Sequence, residues 1–184
     1  MAAKGGVNEI ADRYGVSVAD IVRWNRGLDA DQVVEGQRLV IRNVQPPSES
    51  IGSATCGRLV NGRVLQPHPA IVIRNPDRSY GTEETLRYLR GAFDAVRTQH
   101  PDAHRVRVHD LSLPEGGPID DHRSHQSGRD VDIVYYQREC PSGVCPLRPV
   151  LPRELDIAPQ WTLLENWLRR GAAHRIYIDY GLQE

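Results

Sequence analysis

A short run of turn-forming residues, Pro46-Pro47-Ser48-Glu49-Ser50, divides this sequence into two parts of different character. The segment around it, residues 43–53, has little apolar content and is typical of a linker between folded parts. A length of 184 residues corresponds to one domain of ordinary size together with a small module. We therefore predict two domains, residues 1–42 and residues 54–184, which this linker joins.

The first part predicts two short helices followed by a strand. The spacing i, i+3, i+4 and i+7 places four residues on one helical face, namely Val7, Ile10, Ala11 and Tyr14. Gly15 suits a left-handed helix end, and Ser17 suits the N-cap of a second helix that ends near Trp24. Residues 37–42 alternate polar with apolar side chains, which predicts a short, half-buried strand.

Three ordered blocks in this part resemble the LysM family: Ile10-Ala11-Asp12-Arg13-Tyr14-Gly15-Val16-Ser17-Val18, Ile21-Val22-Arg23-Trp24-Asn25 and Gly36-Gln37-Arg38-Leu39-Val40-Ile41. The resemblance implies a module that binds glycans containing N-acetylglucosamine, with peptidoglycan or chitin as the partner. LysM modules begin with a strand and a Gly-Asp-Thr-like turn, to which only Gly5-Gly6 corresponds here, so we expect the first strand to be missing. A single strand lacks its sheet partner, and a loosely folded helical remnant without glycan binding is the alternative.

The second part mixes helical and strand-like patterns without regular alternation. An apolar face with helical spacing predicts a helix over residues 82–97, and a second helix begins at Pro159 and stops at Gly171. Alternating segments predict strands at residues 105–109, 131–136 and 175–180. This arrangement is typical of an α+β fold, and we expect a central antiparallel sheet flanked by helices.

Charge and hydropathy exclude several classes of function. The 23 Lys and Arg residues are balanced by 24 Asp and Glu residues, so the chain has no basic field for nucleic acid or anionic lipid. No apolar run approaches the ~20 residues that span a bilayer, which predicts no membrane span. Residues 1–6 lack the apolar core of a signal peptide, so we expect no export signal within this sequence.

The three cysteines leave two questions open. Cys140 and Cys145 flank a Pro-Ser-Gly turn that brings them together as a disulfide or a redox pair, unless both remain reduced loop cysteines. Cys56 then has no mate within the chain. In an oxidising compartment, an odd cysteine indicates a partner on another chain or on a part of the protein outside this sequence.

Residues 115–133 hold the richest set of chemically active side chains. Asp132 lies in a segment that otherwise reads as an apolar strand, and burying an unpaired carboxylate costs several kcal/mol, on the order of 3 to 5. His125 lies just before this segment, where its imidazole and the Asp132 carboxylate can converge on one ion. Zinc accepts such a nitrogen and oxygen ligand set, and a catalytic zinc needs three protein ligands with one position open. By spacing alone, a histidine and an aspartate paired in a surface loop is the alternative.

The choice between a zinc site and a surface-loop pair is made by the resemblance of a longer stretch of sequence to a known family. Gly-Gly-Pro followed by His-x-Ser-His-Gln-Ser-Gly-x-Asp-Val-Asp-Ile, residues 116–133, resembles the signature of penicillin-insensitive murein endopeptidases. These are zinc peptidases of the fold group shared with D-Ala-D-Ala peptidases, lysostaphin-type enzymes and the hedgehog domain. The resemblance extends from about residue 50 to the end of the chain and implies zinc ligands at His125 and Asp132, with His122 also associated with the metal. No role transfers to Asp130, which we expect to order the loop by accepting hydrogen bonds from Arg123 or Arg129.

The murein endopeptidase resemblance implies a function in the cell wall. It implies a zinc-dependent hydrolysis of peptide cross-links in peptidoglycan, chiefly the D-alanyl-meso-diaminopimelyl bond, in the periplasm or outside the cell. A LysM module would hold such an enzyme on its insoluble substrate and raise the effective concentration. Both parts of the sequence therefore indicate one partner, peptidoglycan.

One expected element of the family is absent from this sequence. The third zinc ligand and the catalytic base of these enzymes come from a His-x-His motif downstream of the strand resembling residues 175–180, and no His-x-His occurs here. We therefore expect a fragment that lacks the C-terminal part of the peptidase and leaves the catalytic base unknown. Substitution by His109 or His174 is a less favoured alternative.

Two rival functions follow from these gaps. One is a non-catalytic cell-wall-binding protein, in which LysM supplies the affinity and the peptidase-like part is a degenerate scaffold. The other is a D,D-carboxypeptidase of the same fold group, which releases terminal D-alanine instead of cutting cross-links.

Overall fold

The structure is a computed structural model that describes residues 6–42 and 45–183. The chain divides into two compact units, with the boundary between Ser48 and Glu49. Gly5, matched above to the LysM turn, and residues 43 and 44 of the predicted linker lie outside the described residues. Each unit has its own apolar core.

The first unit contains the two helices that the sequence predicts, α1 (Val7–Tyr14) and α2 (Val18–Trp24). Gly15 ends α1 in the left-handed conformation with φ of 63°, which glycine adopts easily because it has no Cβ. The Ser17 hydroxyl accepts the Asp20 N–H at 3.0 Å and so caps α2. The buried side chains of this unit are Val7, Ala11 and Ile21.

The predicted strand at residues 37–42 does not form among the described residues. Instead, the side-chain amide of Asn25 replaces a neighbouring strand: its Nδ2 donates to the Val40 carbonyl at 2.8 Å, and its Oδ1 accepts the Val40 N–H at 2.7 Å. Leu39 and Ile41 still pack against the small core. The segment is therefore extended and anchored, because one side chain satisfies the backbone groups that a second strand would satisfy.

The second unit is of the mixed α and β class that the sequence predicts. Its elements in chain order are β1 (Glu49–Ser53), β2 (Cys56–Val60), β3 (Arg63–Val64), β4 (Ile71–Ile73), β5 (Tyr80–Gly81), α3 (Glu83–Gln99), β6 (Val106–Val108) and α4 (Ile157–Arg169). The sequence predicts a central antiparallel sheet, and the structure has two small antiparallel pairs, β1–β2 and β3–β5, together with a parallel pair in the core, β4–β6. Among the described residues these pairs are separate two-stranded sheets.

The C-terminal end of the predicted linker is a strand. β1 occupies residues 49–53 and pairs with β2 along its whole length, from Glu49 opposite Val60 to Ser53 opposite Cys56. Turn-forming residues such as Ser and Gly disfavour a strand locally, but the cross-strand hydrogen bonds and the buried Leu59 overcome that preference.

Helices α3 and α4 pack against each other and cover the parallel pair. Thr82 caps α3 by accepting the Thr85 N–H at 3.1 Å. The buried face of α3 consists of Leu89, Ala92, Phe93 and Val96, at the spacing that the sequence predicts. The indole N–H of Trp167 in α4 donates to the Tyr88 carbonyl of α3 at 3.2 Å. This core fixes the ends of β4 and β6, which border the candidate site.

Two segments predicted as strands have irregular structure. Residues 131–136 run beside β6 with single hydrogen bonds, but Tyr136 N–H donates to the side chain of Gln160 at 3.1 Å. Residues 175–180 form no strand, and the Asp179 N–H donates to the Tyr135 hydroxyl at 2.9 Å. In each segment, a side chain from a distant part of the chain takes one hydrogen bond that a neighbouring strand would take.

Cys140 and Cys145 form a disulfide that closes the Pro-Ser-Gly turn, whereas Cys56 is exposed and free.

Within residues 6–42 and 45–183, every helix is too short or too polar to cross a bilayer.

Candidate metal centre

A glycine-rich loop after β6 positions the predicted site residues. Gly116 and Gly117 both have left-handed backbone angles, with φ of 72° and 81°. The Gly117 N–H donates to the Gln126 carbonyl at 2.9 Å, which closes the loop. The Gln126 N–H donates in turn to the Ala54 carbonyl at 3.1 Å. The loop is therefore fastened to the turn between β1 and β2.

His125 is held rigidly at the end of this loop. Its φ of 67° is unusual for a residue with a side chain, and the Asp130 carboxylate stabilises this conformation by accepting the His125 N–H at 2.9 Å. Asp130 therefore does order the loop, but through the His125 backbone and not through Arg123 or Arg129 as predicted. The imidazole is buried, and its Nδ1 faces the Leu111 carbonyl at 2.9 Å. This contact leaves Nε2 free to bind a metal.

Asp132 meets both histidines of the loop. Its Oδ1 lies 3.4 Å from His125 Nε2, and its Oδ2 lies 3.9 Å from His122 Nδ1. The Asp132 side chain is half-exposed, in contrast to the burial expected from a strand position. The site consequently has one side open to solvent.

His122 is oriented by an acid that the sequence analysis did not single out. Its Nε2 lies 3.0 Å from Oδ2 of Asp110, which is fully buried. The only sequence signal for Asp110 is a charged residue directly after a strand with alternating apolar residues. Its partner lies 12 positions away, so only the tertiary fold brings the pair together.

The three predicted ligands converge on one point. His122, His125 and Asp132 offer ligand atoms that all lie within 4.8 Å of one another. Because Asp110 and the Leu111 carbonyl each accept a hydrogen bond from the outer nitrogen of one imidazole, both rings direct a lone pair toward Asp132. Two lone pairs and a carboxylate repel one another unless a cation lies between them. The donor set of two imidazoles and one carboxylate fits zinc with an open position.

The comparison with protein families bears directly on this loop. The profile of the penicillin-insensitive murein endopeptidases matches residues 50–146, which is more than half of the chain and includes the whole loop. The chain belongs to this family. The LysM profile matches residues 7–42, ahead of the endopeptidase match. A search of the curated proteins found no match.

Both predicted resemblances are thereby confirmed, although the endopeptidase match ends at residue 146 and does not extend to the end of the chain as predicted. A murein endopeptidase with a LysM domain is a peptidase that acts on peptidoglycan, and its LysM domain binds the cell wall. The combination indicates a periplasmic or extracellular location.

His109 and His174 lie outside the ligand group of this murein endopeptidase. His174 is exposed, and His109 is buried with its Nδ1 3.1 Å from Nη1 of Arg74. Burial, followed by the positive charge of Arg74, lowers the pKa of His109, so this ring is neutral near pH 7. Neither histidine takes the place of a ligand in the described part of the chain.

A second group of possible ligand atoms, His104 with Cys140 and Cys145, is not a metal site. The two sulfurs are bonded to each other, and His104 Nε2 already accepts the Gln137 N–H at 2.9 Å. Neither a thiolate sulfur nor an unoccupied imidazole nitrogen is therefore available to bind a metal in this group.

The electrostatics of His125 and Asp132 are coupled. Burial lowers the pKa of His125, but the hydrogen bond and charge of Asp132 outweigh it and hold that pKa above its ordinary value. Burial raises the pKa of Asp132, but the hydrogen bond and charge of His125 outweigh it and hold that pKa below its ordinary value. A proton on His125 Nε2 and a metal ion therefore compete for the same position beside Asp132.

Metal binding should release this proton, because a histidine ligand must be neutral. Below the raised pKa of His125, we expect the zinc affinity to increase about tenfold per pH unit, and to level off above that pKa. Titration calorimetry in buffers with different protonation enthalpies measures the number of protons released. A zinc affinity that does not change with pH below 6.5, the ordinary pKa of histidine, would contradict the coupling of His125 to Asp132.

In the metal-free protein, the contribution of the His125–Asp132 pair to folding stability is lost as pH rises through the pKa of His125 or falls through that of Asp132.

Asp110→Asn should weaken metal binding without removing a ligand. The amide keeps the shape of the carboxylate but is a weaker acceptor for His122, and such outer partners contribute about tenfold to a hundredfold in affinity. Competition with a chromophoric chelator measures the change. Asp121→Asn is the matched control, since Asp121 is exposed and lies 3.9 Å from Arg78 without contacting a ligand. Equal affinities for both variants would show that Asp110 does not orient His122.

Proposed function

We propose that this protein is a zinc-dependent peptidoglycan endopeptidase that hydrolyses D-alanyl-meso-diaminopimelyl cross-links in the bacterial cell wall. The observation that carries the proposal is the convergence of His122, His125 and Asp132, two of them with their outer nitrogens held by acceptors. Membership of the murein endopeptidase family supports peptidase activity, with peptidoglycan as the polymer that is cut. The metal, the bond that is cut and the roles of these residues are our proposal.

In this proposal the three side chains hold zinc, and the residues behind them keep the centre rigid. The buried His125 and the part-exposed His122 bind through the nitrogens that face Asp132. Asp110 and the Leu111 carbonyl keep the proton on the other nitrogen of each ring. When bound, zinc supplies Lewis acidity toward a carbonyl oxygen and toward water. The half-exposed side of Asp132 leaves room for a polymer substrate to approach.

The two parts of the chain divide the work. We propose that residues 1–42 act as the glycan-binding module, and that the peptidase domain, which includes residues 54–184, begins with β1. A soluble peptidase meets a cross-linked sacculus only at its surface, and attachment to the same polymer raises the local concentration of cleavable bonds. The location outside the cytoplasm follows from where this polymer lies.

A digestion experiment tests the proposal. The purified protein is assayed for bound zinc and incubated with cross-linked muropeptide dimers, and the products are separated by chromatography. We expect about one zinc per chain and conversion of dimers to monomers, both lost after treatment with a chelator and restored by zinc. Release of free D-alanine from monomers would instead indicate a carboxypeptidase. A protein without zinc that pellets with peptidoglycan and leaves dimers intact would be a non-catalytic binding protein.

A further inference from the structure

The parallel pairing of β4 with β6 places a cationic side chain beside the metal centre. Ile73 pairs with Val108, so the next residues, Arg74 and His109, leave the two strands at the same edge. The Arg74 N–H donates to the Val108 carbonyl at 2.9 Å, which fixes the backbone at this point. The position of Arg74 is therefore set by the core and not by a mobile loop.

Arg74 has no close carboxylate of its own among the described residues. Its Nη1 lies 3.1 Å from His109 Nδ1 and 3.9 Å from Oδ2 of Asp110. Within residues 6–42 and 45–183, no other carboxylate lies within 4.0 Å of this guanidinium. The side chain is 53% exposed, so a ligand can reach it from solvent.

Asp110 cannot serve as a dedicated partner for Arg74. Its Oδ2 already accepts from His122 at 3.0 Å and lies 3.7 Å from Nη1 of Arg78. Arg78 has a second carboxylate, that of Asp121, at 3.9 Å, whereas Arg74 has none. Of the two arginines, Arg74 is thus the one whose guanidinium can bind an anionic ligand without giving up a carboxylate partner of its own.

The guanidinium is connected to the candidate centre through a single side chain. Only Asp110 separates it from the ring of His122, whose other nitrogen faces Asp132. The two connecting contacts, of 3.9 Å and 3.0 Å, are each about as long as one residue of an extended chain, about 3.5 Å, so a group on the residue that follows the scissile bond is within reach of Arg74. A guanidinium presents a planar set of donors that matches a carboxylate.

We propose that Arg74 binds a substrate carboxylate next to the scissile bond and so selects cross-links in which this group is free over those in which it is amidated. The inference rests on the proposed function. In a diaminopimelyl cross-link, the carbon that bears the linked nitrogen also bears a carboxyl group. That group is an anion adjacent to the bond to be cut.

Two muropeptide dimers test the inference, one with this carboxyl group free and one with it amidated. For the unaltered protein we expect kcat/KM to be about tenfold higher for the free carboxylate. In Arg74→Gln the advantage should fall to about onefold, with the loss confined to the free-carboxylate dimer. Arg74→Lys keeps the charge without the planar donors and should retain part of the advantage. Arg169→Gln, which removes an exposed arginine paired with Glu165 on α4, is the matched control and should change neither rate.

Binding to the zinc-depleted protein separates failure of this inference from failure of the proposed function. Because the depleted protein does not cleave, calorimetry can measure the affinity of both dimers for each variant. A preference for the free carboxylate that disappears in Arg74→Gln supports the inference even if the zinc-loaded protein cuts neither dimer. Equal affinities and equal rates for the two dimers, or an equal loss for both in Arg74→Gln, would overturn it.

Discussion

Asp132→Asn is expected to abolish peptidase activity and to lower zinc affinity by at least about a hundredfold. Asparagine has the shape of aspartate but no charge, so the centre keeps its geometry and loses its only anionic ligand. The two imidazoles that remain, His122 and His125, are neutral donors and do not offset the charge of the ion. Chelator competition measures the affinity, and the conversion of muropeptide dimers measures the activity.

The matched control for this variant is Asp120→Asn. Asp120 is exposed in the same loop and has no hydrogen bond or ion pair to the rest of the described residues. Its substitution removes one negative charge near the site without removing a ligand, and both measurements should stay unchanged. If the two variants lost zinc equally, the effect would be one of overall charge and Asp132 would not be a ligand.

Gly116→Ala is expected to destabilise the peptidase unit by about 4 kcal/mol or more, the range of severe core damage. A Cβ at this position would lie closer to the Gln126 carbonyl oxygen and the Leu59 nitrogen than real contacts allow. Both neighbours are backbone atoms, so they cannot rotate away, and Gln126 directly follows His125. The zinc site should therefore be lost together with stability.

Gly117→Ala separates steric overlap from backbone strain. Gly117 has a similar left-handed φ of 81°, but a Cβ there would meet nothing within 4 Å. We expect a cost of only about 1–2 kcal/mol, which is the price of a side chain in this conformation. Urea denaturation of both variants measures the difference. Similar losses for the two would mean that strain alone, and not the contact with Gln126 and Leu59, makes Gly116 necessary.

Local patterns predicted the helices well. The apolar spacing of α1 and α3, together with the caps at Ser17 and Thr82, is visible in consecutive residues and appears unchanged in the structure. Of the predicted strands, only the one at residues 105–109 forms, as β6. Residues 37–42, 131–136 and 175–180 have strand-like alternation, but a strand exists only where another segment supplies its hydrogen bonds, and here side chains supply several of them.

The candidate site shows the same division. The resemblance of residues 116–133 to the murein endopeptidase signature predicted a shared ion at His125 and Asp132, whereas their spacing of seven positions left a surface-loop pair as the alternative. Nothing local indicated that Asp110 would face His122 or that Arg74 would lie at the edge of the site. Those two residues come from the ends of β6 and β4, and their positions depend on the parallel pairing of the two strands.

The order of the two domains, the family of each and the grouping of three side chains in one loop could be predicted from the amino-acid sequence, because each depends on residues close together in the chain. The orientation of the imidazoles, the position of His109 and His174 outside the ligand group and the lack of a close carboxylate for Arg74 became visible only in the fold. These features depend on contacts between residues 12 to 36 positions apart, as with Asp110 and His122 or Arg74 and Asp110. Such contacts have no periodic trace in a sequence, since their geometry is set by the packing of α3, β4 and β6 into a common core.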